Sequence, residues 1–395
     1  MNALVDDVLV RGVESGSVPG VVAAVTNRDV ILYEAAFGKR ALGGSADMTV
    51  DTVAWIASMT KALTTTAAMR LVEQGKLDLD SPLAHWMAAF HSVGVLEGFD
   101  EDGKPRIRQA RRPITLRHLL THTSGFGYTM WSADLLRYKE TAGLPGITTC
   151  RNAALHLPLL FEPGEGWEYG IGLDWVGKIV EAVSGKKLGV YLHDEVLAPL
   201  GMADTAFKMT PSMRARLATV HQRDDGGELA PTEFGIPQEP EFEMGGGGLY
   251  STASDYLKFI RMVLNGGKTQ DGRILKAATV AEMSRNQIGD LSVHLLKTVA
   301  PSTTNDAEFF PGMRKTWGLG FMINSEVAPT GRSPGSLAWA GLANTYFWID
   351  PIKGIGGVYL TQLFPFADHQ STALFLAFEK AAYEALKPGV PNSSR

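Results

Sequence analysis

Cysteine is almost missing from this chain. Cys150 stands alone among 395 residues, so no internal disulfide can form and a thiol mechanism would have to rest on this one side chain. No histidine and asparagine context supports such a thiol. A stretch of about 18 consecutive apolar residues, enough to span a bilayer, does not occur. Met1 to Arg11 lacks the basic region and apolar run of a secretion signal. Both absences lead to the expectation of a cytoplasmic protein with no membrane partner. Long runs of one charge are missing too. The 42 acidic and 37 basic residues are scattered to a net charge of −5, so no basic face offers itself to nucleic acid. Histidines do not gather. His118 and His122 are four apart, as helical ligands would be, but no third ligand lies close, and no metal or other cofactor is expected.

What is present suits a large folded enzyme: 45% of residues are hydrophobic, and 43 Gly and 20 Pro are spread throughout. Leu4, Val5, Val8 and Leu9 have helical spacing until Pro19-Gly20 breaks it. Val21 to Thr26 and Val30 to Phe37 read as two strands joined by Asn27-Arg28-Asp29. Met59, Leu63, Ala67 and Leu71 mark a buried helix that ends near Gln74, ahead of Gly75. Residues 80–240 read as short, largely helical segments such as 116–120 and 173–183, separated by Pro and Gly turns. After Gly245 to Gly248 the pattern predicts a helix over 253–264, strands over 317–324, 337–339, 345–349 and 356–363, and a last helix over 372–386. The tail from Pro388 to Arg395 is expected to be disordered. Strands near both ends of the sequence around a helical middle predict an α+β fold. One antiparallel sheet is flanked by the terminal helices, with a mostly helical insertion. The expected units are residues 1–75 with 245–395, and 76–244, with a cleft between them.

Ser58-Met59-Thr60-Lys61 places a hydroxyl and an amine three positions apart at a helix start, where both face the same way. Enclosure favours the neutral amine, which can take the serine proton, and the helix N-terminus favours an oxyanion. Alone, the pattern reads more readily as an N-cap followed by a solvated lysine. Ser184-Gly185-Lys186-Lys187 repeats the spacing, but there the residues suit a helix C-terminus.

Three further segments accompany Ser58 to Lys61: Leu119 to Gly125 (LLTHTSG), Pro163 to Gly170 (PGEGWEYG) and Gly245 to Ser251. Their order resembles that of class C β-lactamases and penicillin-binding-protein relatives, over about residues 3–385. Within that superfamily the chain is most similar to family VIII carboxylesterases and the lovastatin acyltransferase, sharing with the latter the stretch from Val95 to His118. The resemblance implies a class C β-lactamase-like fold, with Ser58 as nucleophile and Lys61 and Tyr169 as the proton-handling pair. It implies an oxyanion hole from the backbone N–H groups of Ser58 and Leu342. Ile171 stands where the β-lactamases carry an asparagine, and Trp339-Ala340-Gly341 stands where they carry Lys-Thr-Gly. Loss of that amide and that cation weakens the case for a lactam and suits a neutral ester, with Ile171, Trp339, Ala340 and Gly341 bordering the substrate. On residue type alone Tyr169 reads more readily as a hydrogen-bonded core tyrosine, and Trp339 reads equally as a core strand residue. His122 and the four glycines read as structural, shaping the cleft wall and a tight backbone passage.

The expected activity is that of a serine carboxylesterase acting on small-molecule esters through an acyl-Ser58. Acyl transfer to a bulky alcohol, weak β-lactam or D-alanyl peptide hydrolysis, and a ligand-holding homologue without turnover are the alternatives. A homodimer stays open, because no interface pattern marks one.

Overall fold

A computed structural model describes residues 2–386, so the expected tail, 388–395, lies outside the described residues. The chain opens with helix α1 (Asn2–Glu14), then the hairpin β1 (Gly20–Asn27) and β2 (Ile31–Gly38). Helix α2 (Thr60–Glu73) follows a single 3-10 turn, Ala57–Met59, that carries Ser58. The middle of the chain holds a hairpin of β3 (Gly94–Phe99) and β4 (Pro105–Gln109), then α3 (Leu116–Leu120) and α4 (Gly172–Ser184). Helix α5 (Ala253–Leu264) leads into β5 (Lys315–Trp317), β6 (Met322–Asn324), β7 (Leu337–Gly341), β8 (Thr345–Asp350) and β9 (Ile355–Leu360). Helix α6 (His369–Ala385) comes last.

Seven strands form one antiparallel sheet in the order β5-β6-β7-β8-β9-β1-β2, so the first hairpin completes a sheet built from the far end of the sequence. Every residue of β8 and β9 is buried, as expected for strands covered on both faces. Helix α5 packs on β1 and β9, while α1 and α6 pack against each other. Two adjacent glycines in β9 make this layering possible. A Cβ on Gly356 would fall 2.6 Å from Ile260 of α5, and one on Gly357 would fall 2.2 Å from the Trp348 ring. The space left by Gly357 therefore seats a fully buried tryptophan. Tyr346 stacks on Phe375 of α6 at 4.5 Å, and Trp348 meets Phe378 edge-on at 5.6 Å. Such contacts add roughly 0.5–1.5 kcal/mol each beyond the area they bury.

Four details differ from the sequence pattern. Residues 317–324 are not one strand: β5 and β6 are separate, and the turn between them passes through Gly320 at φ +83°, against Thr65 of α2. The strand expected over 356–363 ends at Leu360, because the side chains of Thr361 and Gln362 turn away to bond Gly20 and Trp55. Leu363 and Phe364 then pair in parallel with His221 and Gln222. The last helix starts three residues earlier than expected, where Asp368 accepts from the Ser371 N–H as N-cap. The β3-β4 hairpin replaces an expected helical stretch, since alternating Arg106 and Arg108 leave little apolar helical face.

Candidate active site

The chain around Ser58 is held on all sides. Ala57 adopts φ +42°, a left-handed conformation that costs roughly 1–3 kcal/mol for a residue with a Cβ. Hydrogen bonds on both flanks maintain it. Ile56 N donates to Leu249 O at 3.0 Å, Ile56 O accepts from Thr345 Oγ1 at 3.2 Å, and Met59 O accepts from Tyr256 Oη at 2.9 Å. Gly341 allows the close approach: a Cβ there would meet Ile56 O at 2.4 Å. Strand β7 therefore lies directly against the turn that presents the serine.

Lys61 is fully buried, and its ammonium hydrogens are all engaged. Nζ donates to Ser58 Oγ at 3.0 Å, to Tyr128 Oη at 3.0 Å and to Gly246 O at 2.6 Å. Burial pushes its pKa below the usual lysine value, and the negative charge of Asp174 opposes that shift in part. A lysine held this way can give up its proton near neutral pH and accept another from serine.

Tyr169 lies beside this pair. Its ring centroid is 4.7 Å from Lys61 Nζ, its hydroxyl faces Ser58, and Trp339 Nε1 donates to that hydroxyl at 2.8 Å. Burial raises the phenol's pKa, whereas the bonds to Ser58 and Trp339 lower it by favouring the phenolate. His122, at φ +60°, packs 4.6 Å from the Tyr169 ring and accepts from Gly170 N through Nδ1 at 3.3 Å. Burial first, and then the Lys61 charge, keep this imidazole neutral. His122 thus supports the tyrosine from behind.

Ser58, Tyr128, Tyr169, Trp131, Met130, Ile147, Thr148, Met244 and Leu342 are among the residues around a space of about 30 Å³. Ser58 and Leu342 both border it. Among the described residues, no Asp, Glu, Lys, Arg or His lines this space. Trp339 reaches the site through Tyr169. Ile171, Ala340 and Gly341 lie one layer behind the wall: Ile171 is completely buried at the start of α4, and Ala340 and Gly341 are buried in β7. The second Ser-x-x-Lys ends a helix, with Gly185 as its left-handed cap and Lys186 paired with Asp194. Two residues of the network were not singled out in the sequence, Tyr128 and Asp174. Asp174 had a visible signal, since it falls on the stripe of Leu173, Gly177 and Val180 that α4 buries.

Comparison with known proteins identifies the family. The Beta-lactamase family matches residues 5–381, and the chain belongs to that family. The monacolin J acid methylbutanoyltransferase of Aspergillus terreus is 32% identical over 96% of this chain and 95% of its own length. The lovastatin esterase of Penicillium rubens is 31% identical, over 89% of this chain and 91% of its own. The solved structure of a simvastatin synthase from Aspergillus terreus, the LovD6 mutant, superposes with a TM-score of 0.84 at 32% identity, covering 97% of this chain and 96% of the other. The protein therefore has the β-lactamase and penicillin-binding-protein fold, in a serine hydrolase family with acyltransferase and esterase members. Among the described residues, no helix is long and apolar enough to cross a membrane.

Proposed function

We propose that the protein is a serine carboxylesterase that cleaves neutral esters with short acyl groups. The observation that carries this reading is the lining of the space beside Ser58, which is apolar and aromatic and offers no cation to a carboxylate-bearing substrate. Lys61 takes the proton of Ser58 as Oγ attacks the carbonyl, and the N–H groups of Ser58 and Leu342 hold the oxyanion. Tyr169 passes a proton to the departing alkoxide. The acyl-Ser58 ester is then attacked by water, whose proton returns through Tyr169 and Lys61.

A second reading, transfer of the acyl group to an alcohol, is favoured by the similarity to the methylbutanoyltransferase along nearly the whole chain. The two share the acyl-enzyme and differ in what attacks it. The test is a panel of p-nitrophenyl esters of increasing chain length, run beside nitrocefin and with Ser58→Ala in parallel. Release from short esters, lowered at least a thousandfold in the variant, is the expected result. Comparable turnover in Ser58→Ala would remove the reading. New ester formed in preference to free acid when a bulky alcohol is added would move the assignment to a transferase.

A further inference from the structure

Among the described residues, Asp174 is the one carboxylate set into the network around Lys61, and the reaction scheme above leaves it without a task. It is fully buried in the first turn of α4. Oδ1 accepts from Gly246 N at 2.8 Å, and Gly246 O in turn accepts from Lys61 at 2.6 Å. One peptide segment thus joins the carboxylate to the amine. On the other side, the Tyr128 hydroxyl that accepts from Lys61 faces Asp174, whose buried Oδ2 has no hydrogen-bond partner. The fit is close, since a Cβ on Gly246 would fall 2.5 Å from Oδ2. A buried, half-partnered carboxylate costs several kcal/mol, and replacing it by an apolar residue would remove that cost. At Ile171, one helical turn earlier, the chain does carry an apolar residue.

We propose that Asp174 is a positioning residue that sets the charge state and aim of Lys61, acting through Gly246 on one side and Tyr128 on the other. Its negative charge raises the pH at which Lys61 gives up its proton, and its bond to Gly246 N aims the carbonyl that orients Nζ toward Ser58. The other titratable groups around the pair are Tyr169, which faces Lys61, His122, kept neutral, and Cys150, whose thiol is pushed up by burial and by Asp174. None of these supplies a second negative charge at neutral pH.

This inference rests on the esterase or acyl-transfer reading of Ser58. The test is the pH profile of kcat/KM for a short p-nitrophenyl ester with Asp174→Asn, which keeps the acceptor for Gly246 N and removes the charge. Without the charge Lys61 loses its proton more easily, so the acidic limb is expected to move down by about one pH unit. Tyr128→Phe, which removes the hydroxyl between the two groups, is expected to move the limb in the same direction by less, and it carries the test if Asp174→Asn does not fold. A limb that stays in place in folded variants, with only kcat or stability reduced, would overturn the proposal and leave Asp174 a structural residue. Turnover that survives in Ser58→Ala would instead overturn the reading of Ser58 on which it depends.

Discussion

At the scale of single residues, the site is arranged around protons. Lys61 is enclosed, so its charged form is disfavoured, and activity is expected to rise with pH as the lysine deprotonates at a value below that of free lysine. Trp339 contributes through its indole N–H, which favours the phenolate of Tyr169 over the phenol. Trp339→Phe keeps most of the ring packing and removes this donor. Loss of one hydrogen bond to a developing charge is worth about 1.5–3 kcal/mol, so kcat is expected to fall by roughly tenfold to a hundredfold. KM should change little, because the indole stands behind the tyrosine. Steady-state kinetics on a short ester, with a melting curve to confirm folding, measures both.

Among the elements, helix α6 (His369–Ala385) carries the most exposed consequence for stability. Its Glu379 is completely buried and accepts from Thr330 Oγ1 at 2.6 Å and from Arg332 Nε at 2.8 Å, with a second contact from the Arg332 terminal nitrogen. Glu379→Ala would leave the arginine charge buried without its partner, a loss of about 3–5 kcal/mol that urea unfolding at neutral pH would register. Replacing both residues by apolar ones of similar volume is expected to recover most of it. Such long-range pairs explain why some elements could be read from the sequence and others could not. Helix α2 and the β1-β2 hairpin follow local periodicity, and Ser58, Lys61 and Tyr169 lie in short motifs that keep their spacing. Tyr128 acquires meaning only through tertiary contact: it is 67 positions from Lys61 along the chain, and nothing in its neighbourhood marks it. The break between β5 and β6 has the same origin, since Gly320 turns there to clear Thr65 on another element.

For the whole molecule, the sheet order decides what a partial chain can do. Strand β1 lies between β2, its neighbour in sequence, and β9, more than 300 residues later, with Val22 opposite Leu360. A fragment ending at residue 314 would lack β5 through β9 and leave an apolar β1 edge unpaired. Expression of that fragment is expected to give aggregated protein, whereas the full chain stays in the supernatant after centrifugation. The turn bearing Ser58 also leans on this late segment, through Thr345 and Gly341. On the ribosome, then, Ser58, Lys61 and Tyr169 would be translated long before the scaffold that shapes them, while Trp339 and Leu342 would arrive with that scaffold. A frameshift ahead of β9 should therefore be as damaging as one near the start of the message, and a cell would have no active form shortened there to fall back on.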